Sequence, residues 1–258
     1  MGIRFLFVFL SFIFLSCQNK IKPYITAFLT KEIIEEDTTY YKEVYIYKED
    51  GFATIPVAAI NDTTLPITDF SYHWYLYSEK KKFAPGRKYK MVLTHDAGQA
   101  IGEIFFPNNF SIIKPEINFI LPKNSDLSII WQRAENATSY LVSVYLVYSY
   151  IDTNGNNISF RFSQDTIITD TFFTQPKEKL FPEDLRTINW GEGLINIWAI
   201  NGIIIMPGAK ENIKGMGQGF YYGANHSGER YLQIAHPGKR QLFLSPTIKK
   251  RLKEAFRQ

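Results

Sequence analysis

Histidines are the first residues to test for chemistry, and the chain has four: His73, His95, His226 and His236. None forms an HExxH pair, and the chain has a single cysteine, so the sequence contains no local set of zinc ligands. His95-Asp96 is followed by Gly98, which indicates a turn after a strand and not a catalytic dyad. We therefore predict no metal site, no cofactor and no catalytic residue.

Two other patterns come close to ligand-binding motifs. Gly215 to Gly219 reads G-x-G-x-G, but a phosphate loop needs a helix after it, and Phe220 to Tyr222 predicts a strand. Asp152 to Asn156 begins like a calcium loop yet lacks the glutamate at the twelfth position, so a hairpin turn fits better. Carboxylate pairs such as Glu183-Asp184 lie in charged connecting runs and do not by themselves indicate a glycosidase pair.

Composition limits the class of protein. The 258 residues include 29 Lys and Arg against 25 Asp and Glu, and a net charge of +4 is too small to indicate a nucleic-acid partner. Hydrophobic residues make up 45% and charged residues 21%, which is typical of a globular chain. The aromatic share of 16% favours pleated strands over helices. With one cysteine, no intrachain disulfide can form.

The N-terminus predicts an export signal. Arg4 precedes an apolar run from Phe5 to Leu15, which has the length of a signal-peptide core and is too short to span a bilayer comfortably. The run ends at Phe14-Leu15-Ser16-Cys17, which resembles the lipobox of bacterial lipoproteins, although Leu is more usual where Phe14 stands. An ordinary signal peptide with an incidental cysteine and an uncleaved anchor are the alternatives.

The lipobox resemblance implies a specific address. Residues 1–16 would be removed, and the Cys17 thiol would carry a diacylglycerol. Its new amino group would often carry an acyl chain, such as a palmitate. Two or three acyl chains give stable membrane anchoring. Gln18, where no aspartate stands, would favour the outer membrane in enterobacteria; the leaflet and the side of the membrane stay open. Membrane lipid is thus the first predicted partner, held through Cys17 and a linker over residues 17–23.

The mature chain predicts an all-β fold of two tandem antiparallel sandwiches. Turn signals such as Asn61-Asp62, Pro107-Asn108 and Asn154-Gly155 recur every 8–15 residues. Segments between them alternate, for example at Phe70, Tyr72, Trp74 and Leu76, whereas Tyr140 to Tyr148 is apolar throughout and predicts a central strand. We expect units at 24–118 and 119–244, with a boundary near Lys114–Pro122.

Each unit resembles a known module. In the first unit, Pro85-Gly86 followed by Tyr89 and Met91 resembles the penultimate-strand corner of bacterial Ig-like and prealbumin-like domains. In the second unit, Trp131 and the Ala137-Thr138-Ser139-Tyr140 run resemble the B–C region of fibronectin type III domains. That resemblance implies that Trp131 packs in the core and Tyr140 opens the next strand. Ile195 stands where that family has a tyrosine, so no tyrosine corner is expected there.

The tail, residues 245–258, predicts an amphipathic helix. Ser245 or Thr247 can cap it, and Ile248, Leu252 and Phe256 lie four residues apart along one face. We expect it to dock on the protein, or else to contact anionic lipid or a partner.

The expected role is a non-enzymatic envelope lipoprotein that acts as a binding, spacer or assembly module, with an envelope protein or a glycan as its further partner. Three alternatives remain. A carbohydrate- or polymer-binding surface would present a row of exposed Tyr and Trp on one sheet. An envelope hydrolase, or its accessory subunit, would bring carboxylates together with histidine between the modules, for instance at His226 and Glu229. A secretion or surface-complex component would dock a partner through its last strands or its helix.

Overall fold

The computed structural model describes residues 21–34, 37–202 and 209–234. Almost every described element is a β-strand, as the sequence predicts, and one short helix, α1 (Lys177–Leu180), is present. In the first half of the chain the strands are β1 (Tyr24–Ile34), β2 (Asp37–Tyr47), β3 (Val57–Ile60), β4 (Thr63–Thr64), β5 (Ile67–Phe70), β6 (Trp74–Glu79), β7 (Lys88–His95), β8 (Gly98–Phe105) and β9 (Ile112–Lys114).

The second half of the chain continues the pattern with longer strands. They are β10 (Ile120–Leu121), β11 (Leu127–Trp131), β12 (Ser139–Asp152), β13 (Asn157–Ile168), β14 (Phe172–Gln175), β15 (Leu185–Gly202), β16 (Lys214–Gly215), β17 (Gln218–His226) and β18 (Arg230–Ile234). Among these residues, no helix is both long enough and apolar enough to cross a bilayer.

The first sandwich packs two sheets face to face. One runs β5-β6-β2-β1-β17 and the other runs β16-β8-β7-β3-β4. Period two places alternate side chains of each sheet in the shared core. That core contains, among others, Ile25, Val44, Met91, Phe106 and Tyr221.

The second sandwich is built around β12, which pairs with β13 on one side and β15 on the other. β18 and β10 extend this sheet beyond β15, and a smaller sheet ordered β14-β11-β9 covers its inner face. The core holds Trp131, Tyr148, Ile195 and Ile197, and also Leu180 of α1. The central position of Tyr140 to Tyr148 is confirmed.

β17 joins the two sandwiches into one continuous sheet. It runs parallel to β1 from Tyr24↔Gln218 to Lys31↔Asn225, and its last residues pair antiparallel with β15, from Gly202↔Tyr222 to Trp198↔His226. Residues 209–226, which the sequence places in the second unit, therefore supply two strands of the first sandwich. They also supply Ile213 and Tyr221 of its core.

Tyr89 closes the corner that the Pro85-Gly86 motif predicts. Its hydroxyl donates to the Ala84 carbonyl oxygen at 3.0 Å and accepts the Ala84 N–H at 2.9 Å. The ring itself is buried against Phe83 and Phe106. A tyrosine corner thus exists in the first sandwich, where the ring ties the turn before β7 to the strand.

Trp131 and Tyr140 occupy the positions that the fibronectin resemblance implies. Both are almost fully buried, and their rings meet edge to face at 5.4 Å. The Tyr140 hydroxyl accepts the backbone N–H of Ala134 at 2.9 Å, which holds the loop between β11 and β12.

The predicted alternation through residues 70–76 is wrong in one respect. The chain turns at Ser71–His73 between β5 and β6, so Phe70 and Trp74 do not belong to one strand. The Ser71 N–H donates to the Trp74 carbonyl, and the Ser71 hydroxyl accepts the His73 N–H. A local polar turn competes successfully with strand propensity here.

Candidate binding surface

The outer face of the larger sheet in the first sandwich carries a row of aromatic rings. Tyr24 of β1 stands opposite Tyr47 of β2, and Tyr47 stands opposite Trp74 of β6. Their neighbours Ile25, Ile46 and Tyr75 point into the core. Because side chains alternate along a strand, the three rings all point away from the core on adjacent strands.

The rings on this face are accessible. Tyr47 is 42% exposed and Tyr45, two residues earlier on the same face, is 37% exposed. The ring centroids of Tyr45 and Trp74 lie 6.0 Å apart with a tilt of 30°. Neighbouring strands are about 4.8 Å apart, so the row from Tyr24 to Trp74 covers about 10 Å. We call Tyr24, Tyr45, Tyr47 and Trp74 the aromatic row.

Polar groups border the aromatic row. Glu43 lies on the same face of β2 and accepts a hydrogen bond from the Ser78 hydroxyl at 3.1 Å. Farther along, the Lys80 ammonium lies 5.2 Å from the centre of the Tyr41 ring. Flat apolar rings beside hydroxyl, carboxylate and ammonium groups suit a ligand with both an apolar face and hydrogen-bonding groups.

On the other side, the row continues into rings that are packed against each other. Phe28 of β1 stacks on Tyr222 of β17 at 5.7 Å, and Tyr24 meets Phe220 edge to face at 6.2 Å. Phe220 is buried, whereas Tyr222 is half-buried. The open part of the face is therefore the end formed by β2 and β6.

The two side chains of an adjacent aromatic pair point to opposite faces of a strand, as at Tyr221, which is fully buried, and Tyr222, which is half-buried. Tyr45 and Tyr47 are the exposed tyrosines of this face. The sequence pattern that indicates their exposure is the alternation of apolar and tyrosine residues in Val44-Tyr45-Ile46-Tyr47. Tyr24 joins them because β1 pairs with β2 in that register.

His95 and Asp96 form a structural brace. The His95 side chain is fully buried; its Nδ1 lies 3.3 Å from Asp96 Oδ1 and its Nε2 lies 2.7 Å from the Met216 carbonyl oxygen. Lys48 Nζ lies 3.2 Å from Asp96 Oδ2. Burial alone would raise the pKa of Asp96, but hydrogen bonds from Ala53 N–H, His95 and Lys48 outweigh it and lower the pKa to about 2. These contacts occupy both imidazole nitrogens and tie the end of β7 to Lys48, which follows β2, and to the loop between β16 and β17.

His226 lies where the two sandwiches share their sheet. Its Nδ1 is 2.8 Å from the Ile33 carbonyl oxygen, its Nε2 is 3.2 Å from Asn196 Oδ1, and its ring stacks on Trp198 at 4.5 Å. Burial lowers the pKa of His226 to about 4. The neutral ring links β1, β15 and β17.

The hydrogen bonds of His226 go to Ile33 and Asn196, and the Glu229 carboxylate accepts the Tyr231 hydroxyl at 2.6 Å. Within the described ranges, no cluster of three or more His, Cys, Asp or Glu residues could hold a metal ion.

Buried polar side chains next to His226 complete the junction. Asn225 donates from Nδ2 to the carbonyl oxygens of Pro107 and Asn108 at 3.0 and 2.9 Å. Lys31 donates to Asn109 Oδ1 at 2.6 Å, and burial lowers its pKa. These bonds fix the segment between β8 and β9 against the shared sheet.

The glycine-rich run at Gly215 to Gly219 makes a close strand contact. Gly219 has φ +128°, and a Cβ there would lie 2.0 Å from the Ile25 carbonyl oxygen. β17 follows directly, and among the described residues no helix begins next to the run. The glycines let β17 approach β1.

Two other sequence patterns have structural roles. Asp152 accepts the Asn156 N–H at 2.7 Å in the turn between β12 and β13, as the hairpin interpretation predicts. Asp184 accepts the Tyr150 hydroxyl at 3.1 Å. Cys17, the Glu35-Glu36 pair, His236 and the predicted helix of residues 245–258 lie outside the described residues, and so does most of the linker over 17–23.

Comparisons with known proteins give little further information. No family model and no curated protein matches the chain. Among solved structures, fibronectin(III)-like modules of Clostridium thermocellum CbhA align with 11% identity over 84% of this chain and 98% of that chain, with a TM-score of 0.26. A TM-score this low supports no assignment, so the all-β sandwich fold rests on the strand pairing and the two cores.

Proposed function

We propose that this protein is a non-enzymatic binding module of a bacterial envelope, and that its ligand is an extended glycan. The aromatic row carries the proposal. Tyr24, Tyr47 and Trp74 form a row across three strands, with Tyr45 beside them; Tyr45 and Tyr47 are exposed, and Tyr24 and Trp74 are half-buried. Exposed aromatic groups of this size on a sheet favour recognition of a surface over a purely mechanical spacer.

The chemistry of the row suits sugars. A pyranose ring has an apolar face that stacks on Tyr or Trp, and its hydroxyl groups can bond to Tyr hydroxyls and to Glu43. A row of about 10 Å is long enough to hold about two sugar units side by side. A flat open row favours binding to an internal stretch of a polymer, because recognition of a chain end would need a wall that closes around that end.

Membrane display is the second part of the proposal. The Phe5–Leu15 run and Cys17 resemble a lipoprotein signal, which would attach the protein to lipid ahead of β1. Intact mass of the membrane-extracted protein tests this. Loss of residues 1–16 with a gain of two or three acyl chains, abolished by Cys17→Ala, is the expected result; a cleaved protein without acyl groups would contradict it.

Glycan binding is tested by retention on insoluble polymers. Peptidoglycan sacculi, chitin and cellulose are suitable probes, with soluble xylan as a competitor. We expect Trp74→Ala to weaken retention roughly tenfold, equivalent to about 1.4 kcal/mol, and Tyr47→Ala to weaken it by a similar factor.

Trp190→Ala is the matched control. Trp190 is 48% exposed and lies on β15, outside the aromatic row. Equal retention of the wild type and both aromatic-row variants on every polymer would refute glycan binding. The role as a spacer or a protein-assembly module would then be the better explanation.

A further inference from the structure

β13 is a long, regular strand with one open edge. It spans Asn157–Ile168, 12 residues that pair with β12 without a shift of register. Among the described residues, β12 is the only strand beside it. The other edge of β13 therefore presents a row of unpaired backbone N–H and carbonyl groups, which is a template for a further strand.

Most of the usual protections of an edge strand are absent from β13. It contains no proline and no bulge, and it is long. β5, at one end of the same sheet, differs in both respects, since it has 4 residues and its pairing with β6 shifts between Ile67 and Asp69. The protection that β13 retains is charge, which it carries at Arg161 and Asp165.

The two faces of β13 have different chemistry. The inner face is apolar, half-buried and packed against the second core, through Ile158, Phe160, Phe162 and Ile168. The outer face is polar and exposed, with Asn157, Ser159, Arg161, Ser163 and Asp165. A strand added at the open edge would cover the accessible side of the inner apolar residues.

The two charges of β13 lack partners. Arg161 and Asp165 lie four residues apart on the outer face, about 14 Å along the strand, which is too far for them to bond to each other. Neither takes part in an ion pair among the described residues. They therefore offer one positive and one negative group to a strand that pairs at this edge.

A second copy of β13 complements these charges in one register. In an antiparallel pair with a two-fold axis at Ser163, Arg161 stands opposite Asp165 of the second copy, and the symmetry repeats the contact. On the inner face, the same register places Ile158 opposite Ile168 of the second copy, also twice.

Neighbouring registers lose this match. An axis at Phe162 or Gln164 places no opposite charges across from each other. An axis at Arg161 or Asp165 places like charges directly opposite, which is unfavourable. The pattern of charges thus favours a single way of joining two copies.

We propose that two copies of this chain pair antiparallel through β13, with the two-fold axis at Ser163, so that one sheet runs through both. The open backbone groups of the two strands bond to each other, and two Arg161–Asp165 ion pairs fix the register. The partner is a second copy because β13 is complementary to itself.

Charge reversal tests the register. The full chain carries Cys17→Ser, and sedimentation velocity over a range of concentrations measures the dimer dissociation constant. Arg161→Asp and Asp165→Arg should each weaken dimerisation about tenfold or more, because each places two pairs of like charges across the axis. Arg133→Asp, which reverses an exposed charge outside β13, is the matched control and should leave the constant unchanged.

Mixing the two variants is the decisive measurement. Arg161→Asp supplies two carboxylates and Asp165→Arg supplies two guanidinium groups, so an equimolar mixture should recover the dimer that neither variant forms well alone. Recovery also shows that both variants are folded.

Cysteine cross-linking gives an independent measurement. Ser163→Cys stands opposite its equivalent, and directly opposite residues of antiparallel strands have Cα atoms close enough for a disulfide. Ser159→Cys is exposed on the same face but would lie about 27 Å from its equivalent. We expect oxidation to cross-link Ser163→Cys and to leave Ser159→Cys monomeric.

Three results would overturn the proposal. The first is a wild-type chain that stays monomeric over the whole concentration range. The second is a dimer that both charge reversals leave unchanged, and the third is equal cross-linking of Ser159→Cys and Ser163→Cys. None of them affects the glycan proposal, because the aromatic row lies on β1, β2 and β6.

Discussion

The two sandwiches differ in how they obtain their strands. The second takes its core from β9 to β15 and adds β18 from the next hairpin. The first sandwich is complete only with β16 and β17, which follow most of the second sandwich in the chain. One core is therefore nearly local in sequence, whereas the other is completed by a strand from the far end of the described chain.

This difference indicates that the first sandwich depends on the second. β17 is held by β15 at one end and pairs with β1 along its length, so the surface offered to β1 is positioned by the second sandwich. Pairing between distant parts of a chain carries a larger loop-closure cost and forms slowly. We expect the second sandwich to fold first and the first sandwich to close around β17.

Tyr221→Ala should lower stability the most of these substitutions, and it tests most directly whether the first sandwich can unfold separately from the second. Tyr221 is fully buried in the first core although it comes from β17. Removing a buried aromatic ring costs about 3–5 kcal/mol. Hydrogen exchange should show lost protection in β1, β2, β7 and β8 and retained protection in β11 to β13. Equal loss in both sandwiches would mean that they unfold as one unit.

His226 makes the junction sensitive to acid. Its pKa is about 4 in the folded protein, against 6.5 for a free side chain, so the unfolded chain binds a proton more readily between these values. The stability due to neutral His226 is complete above pH 6.5 and is lost as the pH falls towards 4, by on the order of 3 kcal/mol.

Urea titrations at pH 7 and pH 4.5 measure the effect, with His226→Gln as the variant that should lack this slope. Asp96 also loses its contribution in acid, but its pKa of about 2 places that change below pH 4. An identical slope in His226→Gln and wild type would assign the pH dependence to other groups.

Tyr140→Phe and Tyr89→Phe compare the loop anchors of the two sandwiches. Tyr140→Phe leaves the N–H of the buried Ala134 without its partner, which costs about 1–3 kcal/mol. Tyr89→Phe frees both the N–H and the carbonyl of Ala84, which is more exposed and can bond to water, so we expect a loss of about 1 kcal/mol. Thermal unfolding midpoints of the two variants test the order, and a larger effect of Tyr89→Phe would reverse it.

Tyr221→Phe should have the smallest effect, and in the stabilising direction. The Tyr221 hydroxyl is buried, and none of the described residues bonds to it. Removing an unsatisfied buried hydroxyl while keeping the ring should raise the free energy of unfolding by up to about 1 kcal/mol. A loss of stability would show that the hydroxyl is bonded, for example to a buried water molecule.

The sequence predicts the features of this fold that depend on nearby residues. Tyr89 lies shortly after the Pro85-Gly86 turn and bonds to Ala84 just before it. Tyr140 likewise follows soon after Trp131, and the two rings are in contact. The all-β class follows from turn spacing and aromatic content in the same way. Local spacing carries these signals because the interacting residues are close in the chain.

The parallel pairing of β1 with β17 could not be predicted in this way. Its partners are almost the whole described chain apart, and no residue near Tyr24 indicates which strand will lie beside it. Gly219 was the nearest signal, since a glycine in a strand indicates a close backbone approach, but it does not identify Ile25 as the contact. The aromatic row depends on the register of β1, β2 and β6 and is hidden for the same reason.

The position of β1 has a mechanical consequence. β1 lies between β2 and β17, in register with each over most of its length. A force that pulls on the chain ahead of Tyr24, along the strand, must break both ladders of hydrogen bonds together in shear. An edge strand in the same place would unzip one bond at a time under far less load. The first strand of this protein is therefore built to bear tension.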